Sequence, residues 1–574
     1  MSTSTEMSQL PETNPEKHQG ERDGYTNSPG FEDEVASHTL SLRGRKLTAS
    51  LAFVAGAGFT LFGYDQGVMS ALLTAGQFEK VFPQVVVDPS FHNNHATLQS
   101  FVVAIYEIGC LIGALSNLWV GDYLGRRRTI VLGGCIMIIG AILQATSFNY
   151  AQLVVARIIT GLGNGLNTST VPSYHAECSP AAKRGSLIML EGSLITFGIM
   201  ISFWASNSSA QWRVPIALQI FLALIMIFGI GFLPESPRWL VKHNRPAEAM
   251  AVISALEDRP SSDPEVQRTF HAIREAVALE DFGVSDVKSD KDDPQGKKSK
   301  TSSLKELFTG GRSQNFRRAS LGIVNQCFQQ ITGINLITYY ATLLFQRLGL
   351  SDVNSRIIAA ANGTEYFLAS LIAIALIDRV GRRKLMLFGA VGQCLTMVLL
   401  AVLGSISNSG AQVVSAVLLF VFNSFFAVGW LGMTWLYPAE IVGLRIRAPA
   451  NALSTASNWI FNFMVVMVTG PSFSNISWGT YIVFAALNAF IVPIVYFFFP
   501  ETAGRSLEDM DVIFALAYNE GVSPVKVSLR KDIPLAGSPE ADRILGIESG
   551  VRTSNRTSSE SPRRVGAGVK DSEQ

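Results

Sequence analysis

Twelve long apolar stretches constrain this chain more than any other feature of its sequence. A helix needs about 20 predominantly apolar residues to cross the hydrocarbon of a bilayer. Stretches of this kind cover roughly residues 51–73, 97–120, 129–148, 152–173, 187–206, 214–233, 320–346, 356–377, 385–406, 411–437, 450–470 and 478–499. The sequence therefore predicts an all-α integral membrane protein with twelve transmembrane helices, which we number spans 1 to 12.

Composition supports the same fold class and excludes several others. Hydrophobic residues make up 48% of the 574 residues and charged residues 16%, whereas soluble proteins carry about 25% charged residues. The net charge of +1 gives no basic field for nucleic acid. Five cysteines without metal-ligand spacing predict neither a disulfide framework nor a metal site. We find no phosphate-binding loop or nucleophile motif, so we expect no cofactor and no enzymatic activity.

The polar segments divide the chain into five parts. We expect a disordered cytoplasmic tail, a six-helix bundle, a cytoplasmic linker with short helices, a second six-helix bundle and a cytoplasmic carboxyl tail, over residues 1–49, 50–233, 234–319, 320–499 and 500–574. Lys and Arg concentrate in alternate short loops, which stay on the cytoplasmic side. This pattern predicts a multi-pass protein, in the plasma membrane, with both termini in the cytoplasm.

Three motifs occur once in each half, in the same order and at similar separation. GDYLGRRR at Gly121 returns as IDRVGRRK, YHAECSPAAKRG at Tyr174 returns as YPAEIVGLRIRA, and PESPRWL at Pro234 returns as PETAGRSLE. The two halves are thus copies of one six-helix unit. Paired units suit a transporter that rocks one half against the other around a central site.

The acids and arginines of these motifs predict a clamp at the cytoplasmic ends of neighbouring helices. Arginine binds a carboxylate through two parallel hydrogen bonds. We expect Glu177 to bind Arg126 and Arg127, and Glu440 to bind Arg382 and Arg383. The same loops contribute four further charged residues to the predicted clamp, Asp122, Arg184, Asp378 and Arg445. The alternative is that these charges only set the topology.

Together with QQITGINLITYY in span 7, these motifs resemble the sugar porter family of the major facilitator superfamily over about residues 50–515. The resemblance implies transport by alternating access. The segments GWLGMTWLYPAE and APANALSTASNWIFNF resemble a fungal branch of that family that includes glycerol–proton symporters. Span 5 carries Glu191-Gly192 where hexose porters carry a sugar-binding Gln, so a polyol cargo is an alternative to a hexose.

Five ionisable residues lie inside predicted spans, where such groups are costly and mark functional sites: Asp65, Glu107, Arg157, Glu191 and Glu365. Desolvation favours the protonated form of an aspartate, and a nearby arginine favours the charged form. The two opposing effects can therefore let Asp65 gain and lose a proton near the working pH of the protein. The resemblance implies that Asp65 takes the proton and that Arg157 tunes it. The alternative is a permanent buried ion pair. No ionisable group occupies the equivalent places in the second half.

The second half instead carries amides and aromatic residues. Amides donate and accept hydrogen bonds, which suits hydroxyl groups. The resemblance implies that five residues bind substrate, Gln329, Gln330, Asn335, Trp435 and Asn458. The alternative for the amides, and equally for Asn462, is adhesion between helices. Tyr339 and Tyr340 fit an outer gate, and their alternative is an interfacial aromatic anchor.

These observations predict a secondary active transporter that carries a sugar or polyol together with a proton. Its partners are that small molecule, the proton and the lipid bilayer, and nucleic acid is not among them. A facilitative uniporter with the same site is one alternative. A nutrient sensor that binds without transport is another, which the short carboxyl tail disfavours.

Overall fold

The computed structural model describes residues 30–87, 94–179, 184–206, 212–282, 306–406, 408–443, 446–505, 507–536 and 538–545. Within these ranges the regular structure is helical. All five cysteines are free. Residues 1–29 of the predicted amino tail, residues 283–305 of the predicted linker and residues 546–574 of the predicted carboxyl tail lie outside the described residues.

The first half contains spans 1 to 6. In chain order they run over Gly44–Leu72, His95–Leu124, Arg126–Ala145, Tyr150–Glu177, Arg184–Ser206 and Arg213–Gly231. Shorter helices precede, follow or interrupt them at Phe31–Ser37, Gly76–Val81, Pro237–Lys242, Pro246–Glu257 and Pro264–Phe282, with a 3₁₀ turn at Pro83–Val85. Most spans are longer than their apolar stretches, because the helices continue into the polar flanks.

The second half repeats this arrangement. Span 7 consists of Asn315–Ile331 and Ile334–Arg347, and spans 8 and 9 cover Asp352–Val380 and Arg382–Gly404. Span 10 joins Ser409–Phe426 and Met433–Ile441 through a π-helical turn at Ala427–Leu431. Spans 11 and 12 cover Arg447–Asn475 and Gly479–Phe498, and shorter helices follow at Leu507–Glu520, Pro524–Ser528 and Pro539–Leu545.

Ten helices in the described ranges are long and apolar enough to cross a membrane on their own. The other two of the twelve predicted spans, 4 and 7, fall short for different reasons. Span 4 is too polar by this measure, and span 7 is divided into helices of 17 and 14 residues. Most residues of both are buried against neighbouring helices, so their composition follows the protein interior.

The division of span 7 is built around Gly333. Its φ of +92° lies in the left-handed region that favours glycine. The interruption leaves the carbonyl of Thr332 without a helical partner, and Asn488 Nδ2 of span 12 donates to it at 2.9 Å. A broken helix with its freed carbonyl satisfied in this way is tolerated at membrane depth.

Span 4 lies against spans 2 and 3 at very short range. A Cβ atom on Gly161 would lie 2.2 Å from the carbonyl oxygen of Tyr106, and one on Gly163 would lie 2.5 Å from that of Gly133. Small residues of this kind let membrane helices approach closely. The polar side chains of span 4 are therefore held against spans 2 and 3.

Two faces of the bundle are distinguished by the chain itself. We call the face where span 6 ends and span 7 begins the linker side, and the face where span 1 ends the far side. The halves are joined at the far side by Ser70 and Thr342, whose hydroxyl oxygens are 3.4 Å apart. Arg356 of span 8 donates to the carbonyl of Thr74 at 2.8 Å, and Gly470 N donates to Ser100 Oγ at 3.2 Å. The far side is closed.

The shorter helices before span 1, after span 6 and after span 12 pack beneath the bundles on the linker side. Phe31, Leu240, Met250 and Phe270 share a small hydrophobic core of their own. Pro246–Glu257 and Pro264–Phe282 occupy the part of the linker for which the spacing predicts helix. The carboxyl segment docks on the start of span 7, where Arg318 forms a 2.6 Å ion pair with Asp511.

Candidate functional site

Asp65 and Arg157 form a buried ion pair between spans 1 and 4. Arg157 Nη1 lies 3.5 Å from Asp65 Oδ1, and both side chains are fully buried. Asp65 Oδ2 is buried and has no hydrogen-bond partner within the described part of the chain. A carboxylate taken out of water needs a full set of partners to remain charged at low cost, so this contact is long and incomplete for a purely structural pair.

Span 2 holds Arg157 in place independently of Asp65. Its Nε donates to the carbonyl of Val102 at 3.3 Å and its Nη2 to that of Val103 at 3.1 Å. The guanidinium also lies over the ring of Tyr106, 4.5 Å from the centroid, which is favourable for a cation. The close approach at Gly161 brings these groups within reach. Arg157 therefore stays anchored when its contact with Asp65 weakens.

Two further polar side chains face the same region. Glu107 of span 2 accepts a hydrogen bond from Tyr339 of span 7, with 2.6 Å between the oxygens. Gln219 of span 6 lies beside Asp65, and neither of its amide atoms has a hydrogen-bond partner in the described ranges. We call Asp65, Arg157 and Glu107 the charged cluster.

Six amides of spans 7 and 11 form one connected set, which we call the amide cluster. Its members are Gln326, Gln329, Gln330, Asn335, Asn458 and Asn462. Asn335 Nδ2 donates to Gln330 Oε1 at 2.6 Å and to Asn462 Oδ1 at 2.7 Å. Asn458 Nδ2 donates to Gln326 at 2.7 Å and to Gln329 at 2.8 Å. The structure thus brings the predicted amides together.

The amide cluster can exchange its internal bonds for bonds to hydroxyl groups. Gln329 is 7% exposed and Asn335 is 5% exposed, the largest values in the set, so a solute would reach these two first. Asn462 has a buried Nδ2 without a partner in the described residues. Amides with spare donors and acceptors suit a polyhydroxylated ligand.

The aromatic residues predicted beside the amides take different places. Trp435 is half-buried in span 10, next to Thr434, whose carbonyl accepts from Gln326 Nε2 at 3.0 Å. Trp459 is fully buried and meets Phe62 of span 1 edge to face, with centroids 5.6 Å apart. Trp459 therefore packs between the halves, while Trp435 keeps some accessible surface near the amide cluster.

Tyr339 and Tyr340 lie within the second helix of span 7 and are buried. Tyr339 bonds to Glu107, and Tyr340 Oη donates to Ser100 Oγ at 3.0 Å. Both hydroxyls reach span 2 in the other half. The alternative of an anchor at the membrane interface is wrong for both, because neither ring is at the surface.

On the linker side, the first copy of the predicted clamp joins spans 3 and 4. Arg126 Nε donates to Glu177 Oε2 at 3.2 Å, and Nη2 donates to Oε1 at 3.1 Å. This is the two-bond geometry expected of the pair. The prediction that Arg127 also binds Glu177 is wrong. Arg127 Nη2 donates to the carbonyl of Gly231 at 2.7 Å, at the end of span 6, where a cation is favourable.

The second copy repeats these contacts. Arg382 Nε donates to Glu440 Oε2 at 3.2 Å and Nη2 to Oε1 at 2.9 Å. Arg383 was expected to bind Glu440, and this is wrong as well, because its Nη2 donates to the carbonyl of Tyr496 at 2.6 Å, at the end of span 12. In each half the clamp joins helices of the same bundle.

The remaining clamp residues have varied positions. Asp122 pairs with Lys242 at 2.7 Å, and Asp378 pairs with Arg382 at 3.0 Å. The side chain of Arg184 and the whole of Arg445 lie outside the described residues.

Sequence reasoning missed the role of two acids in the repeated motifs. Glu235 of PESPRWL accepts from the backbone N of Arg126 at 2.9 Å, and Glu501 of PETAGRSLE accepts from that of Arg382 at 2.8 Å. Each carboxylate thus caps the amino end of a span, where negative charge is favourable. The sequence contained an indication of this role, because each of the two acids follows a proline and the acid recurs in both halves together with the repeated arginines.

Two other ionisable residues found by sequence have polar partners. His175 Nδ1 lies 2.7 Å from Glu191 Oε1, and both are buried. His175 lies in the last turn of span 4. Glu365 of span 8 is half-buried and accepts a hydrogen bond from Ser424. Among the described residues, no group of His, Cys, Asp or Glu could hold a metal ion.

Comparison with known proteins decides the family. The family model described as "Sugar (and other) transporter" matches residues 51–514. The chain belongs to this family. It is therefore a transporter, and the predicted sugar porter membership is confirmed.

Several relatives share most of their length with this transporter. "Sugar transporter STL1" of Saccharomyces cerevisiae is 40% identical over 512 residues, which is 87% of each chain. "Major facilitator superfamily transporter mfsA" of Aspergillus fumigatus is 38% identical over 530 residues, 89% of this chain and 94% of the relative. The likeness extends beyond the motifs to the whole membrane region.

Solved structures share the fold. A structure of the major facilitator superfamily proton:xylose symporter XylE aligns with a TM-score of 0.67 at 24% identity, covering 82% of this chain and 99% of that one. An inward-open structure of XylE from E. coli aligns with a TM-score of 0.63. The chain has the major facilitator fold of twelve spans in two repeats.

Proposed function

We propose that this transporter carries a sugar or polyol together with a proton. The observation that supports proton coupling most directly is the Asp65–Arg157 pair, sealed from water and 3.5 Å apart, with one oxygen of Asp65 unpartnered in the described residues. A buried carboxylate is costly unless well paired. A proton removes that charge, and Arg157 keeps its two carbonyl partners when Asp65 becomes neutral. The pair thus has two accessible charge states.

The amide cluster supplies the binding site for the cargo. Gln329, Gln330, Asn335 and Asn458 offer donors and acceptors for hydroxyl groups, and Trp435 offers an aromatic face. The fungal relatives include a sugar transporter and several glucose transporters, which supports a sugar. Gly192 stands where hexose porters carry a binding amide, which leaves room for a linear polyol.

Transport proceeds by alternating access in the plasma membrane. The linker side and both termini face the cytoplasm, and the far side faces outward, as the loop charges require. With the far side open, a proton binds Asp65 and the cargo binds the amide cluster. Tyr339 and Tyr340 then close the far side. The clamp residues stabilise the cytoplasmic ends of each bundle while the linker side opens and releases both ligands.

Purified protein in proteoliposomes tests this function. Glycerol, pentitols, hexitols, xylose and glucose are supplied at pH 5.5 and 7.5 with an imposed proton gradient. Symport predicts accumulation above the external concentration, collapse with a protonophore, and alkalinisation of the side from which cargo enters. Asp65→Asn should abolish accumulation but retain exchange of labelled for unlabelled cargo. Glu248→Gln, a carboxyl change on the linker helices, is the matched control and should leave accumulation intact.

The alternatives give different results in the same experiment. A uniporter equilibrates its cargo, ignores the protonophore and moves no protons. A sensor binds cargo, measured by a thermal shift, without any uptake. Full uphill accumulation by Asp65→Asn would refute the proposed coupling site.

A further inference from the structure

A cavity of about 540 Å³ lies on the linker side of the first half, and the proposed cycle does not use it. Its walls come from the ends of spans 2, 3 and 6, from the segment before span 1 and from the short linker helices. Cavities that hold small ligands have volumes of about 300–1,000 Å³. This cavity is therefore large enough for a ligand of that size.

Two arginines at the start of span 3 line the cavity and give it positive charge. Arg127 is fixed by span 6, because its Nε donates to the carbonyl of Ile230 at 3.3 Å and its Nη2 to that of Gly231 at 2.7 Å. Arg128 is exposed and has no hydrogen-bond or ion-pair partner within the described residues. A guanidinium binds phosphate oxygens through two parallel hydrogen bonds. Arg128 is thus available to a phosphate group.

The two acids among the lining residues already have partners. Glu235 accepts from the backbone N of Arg127 at 3.2 Å, at the amino end of span 3, where negative charge is favourable. Glu248 binds Arg245 Nη2, and its Oε1 lies 3.8 Å from His38 Nε2. Neither acid forms an ion pair with the two guanidinium groups at the start of span 3, so their charge remains available to an anion.

The same cavity has an apolar wall, formed by Leu124, Val131 and Ile230. Tyr123 precedes this wall in span 2 and is 84% exposed, and Phe232 follows span 6 and is 80% exposed. Aromatic residues at the ends of spans lie at the level of the lipid headgroups. The cavity therefore meets the bilayer at this level, with cations and apolar side chains on its walls.

We propose that this cavity binds the phosphate-bearing headgroup of an anionic phospholipid from the leaflet on the linker side. Arg128 donates to the phosphate, and the acyl chains cover Leu124 and Val131 before they continue into the bilayer. A soluble phosphate offers the same charge but leaves the apolar wall uncovered. Basic pockets between spans on the cytoplasmic side bind inositol phospholipids in other membrane proteins. The linker side is the one that we propose to face the cytoplasm.

Binding of a short-chain lipid to the purified full-length transporter tests this site. Native mass spectrometry in a nonionic detergent counts the bound molecules of dioctanoyl phosphatidylinositol 4-phosphate. Dioctanoyl phosphatidylcholine, whose headgroup has no net charge, is the comparison lipid. We expect one inositol lipid to bind about tenfold more tightly than phosphatidylcholine, as for a gained hydrogen bond to a charged group. Equal affinity for the two lipids would overturn the proposal.

The internal repeat provides a matched control variant. Arg128→Gln removes the unpaired cation and should weaken binding of the inositol lipid about tenfold, whereas Arg128→Lys keeps the charge and should weaken it less. Lys384 follows GRR in the second half as Arg128 does in the first, and it is exposed but does not line the cavity. Lys384→Gln removes the same charge and should leave the affinity nearly unchanged. An equal loss in Arg128→Gln and Lys384→Gln would assign the binding to net charge and overturn the site.

A competition experiment separates the two sources of the phosphate group. Inositol 1,4-bisphosphate, a water-soluble headgroup, is added to the complex with the inositol lipid. Because it cannot cover the apolar wall, we expect it to displace the lipid only at a concentration about tenfold higher or more. Displacement at equal concentrations would make the cavity a site for a soluble phosphate and overturn the lipid proposal. These measurements use neither cargo nor a proton gradient, so their outcome is independent of the proposed symport.

Discussion

The charged cluster should tolerate the loss of one carboxyl far better than the loss of both. Arg157 is fully buried and cannot lose its proton, so it needs a carboxylate nearby. Asp65→Asn leaves Glu107 as that partner, and Glu107→Gln leaves Asp65. The double variant leaves Arg157 with two carbonyls and the ring of Tyr106, but with neither carboxylate of the cluster.

The size of this effect follows from the burial of the pair. Removing one partner of a buried ion pair costs about 3–5 kcal/mol. We expect each single variant to lose at most about 1 kcal/mol, because the remaining carboxylate still pairs with Arg157, and the double variant to reach that full cost, which exceeds the sum of the two single losses. If one six-helix bundle unfolds as a unit, each kcal/mol lost from the free energy of unfolding lowers the Tm by roughly 2–4 °C. Replacing Arg157 by Gln in the double variant should restore most of the loss.

Thermal unfolding in detergent, followed by tryptophan fluorescence, measures these differences. The singles, the double and the triple variant are compared at pH 7.5. Strictly additive losses, or a triple variant less stable than the double, would refute the view that two carboxyls share one cation.

Three further predictions follow from other contacts. Glu177→Gln and Glu440→Gln should each destabilise the protein by about 1.5–3 kcal/mol, the value of a hydrogen bond to a charged group, and by similar amounts because the two clamps have the same geometry. Thermal unfolding measures this, and a large difference between them would contradict the repeat. Asn335→Ala and Asn458→Ala should weaken cargo binding, measured by titration, about tenfold, the loss of one good hydrogen bond. Asn488 donates to the carbonyl freed by the break in span 7. Asn488→Ala should therefore lower the unfolding temperature and leave the affinity in the same titration nearly unchanged. Burial and the nearby Asp352 raise the pKa of Glu79 in the far-side loop, although Arg356 opposes them. A raised carboxyl pKa makes stability fall as pH rises past the ordinary value of Glu. Glu79→Gln should therefore stabilise the folded protein slightly at pH 7 but not at pH 4, as measured by thermal unfolding. An equal change in stability at both pH values would show that the charge of Glu79 is not the cause.

The sequence was most informative where lipid imposes a simple rule. Apolar stretches of sufficient length predicted the spans, and repeated acids and arginines predicted the pairs Arg126–Glu177 and Arg382–Glu440. Span 7 shows the limit of hydropathy, because its break at Gly333 depends on Asn488 of span 12, which is distant in the chain. Span 4 can be polar because spans 2 and 3 cover it, and no local pattern states which neighbours do so.

The sequence predicted which residues belong to the site better than it predicted which partners they contact. Asp65, Arg157 and the amides were found because polar groups are rare in lipid. Arg127 and Arg383 were assigned to the wrong acceptors, since spacing alone could not show that they reach the ends of spans 6 and 12. Gln219 stands out as an amide in an apolar span, and that signal went unused. The contact between Glu107 and Tyr339 joins residues of different halves and required the fold.

The interruption at Gly333 places the three glutamines of the amide cluster and the two gating tyrosines on separate pieces of one span, while Asn335 lies just after the pivot. Gln326, Gln329 and Gln330 belong to the piece before the pivot, and Tyr339 and Tyr340 belong to the piece after it. Changes in the first piece can alter which solute is selected without altering how fast the lid swings. Selectivity and turnover can therefore diverge independently among relatives, and an engineer who wishes to retune one should leave the pivot glycine untouched.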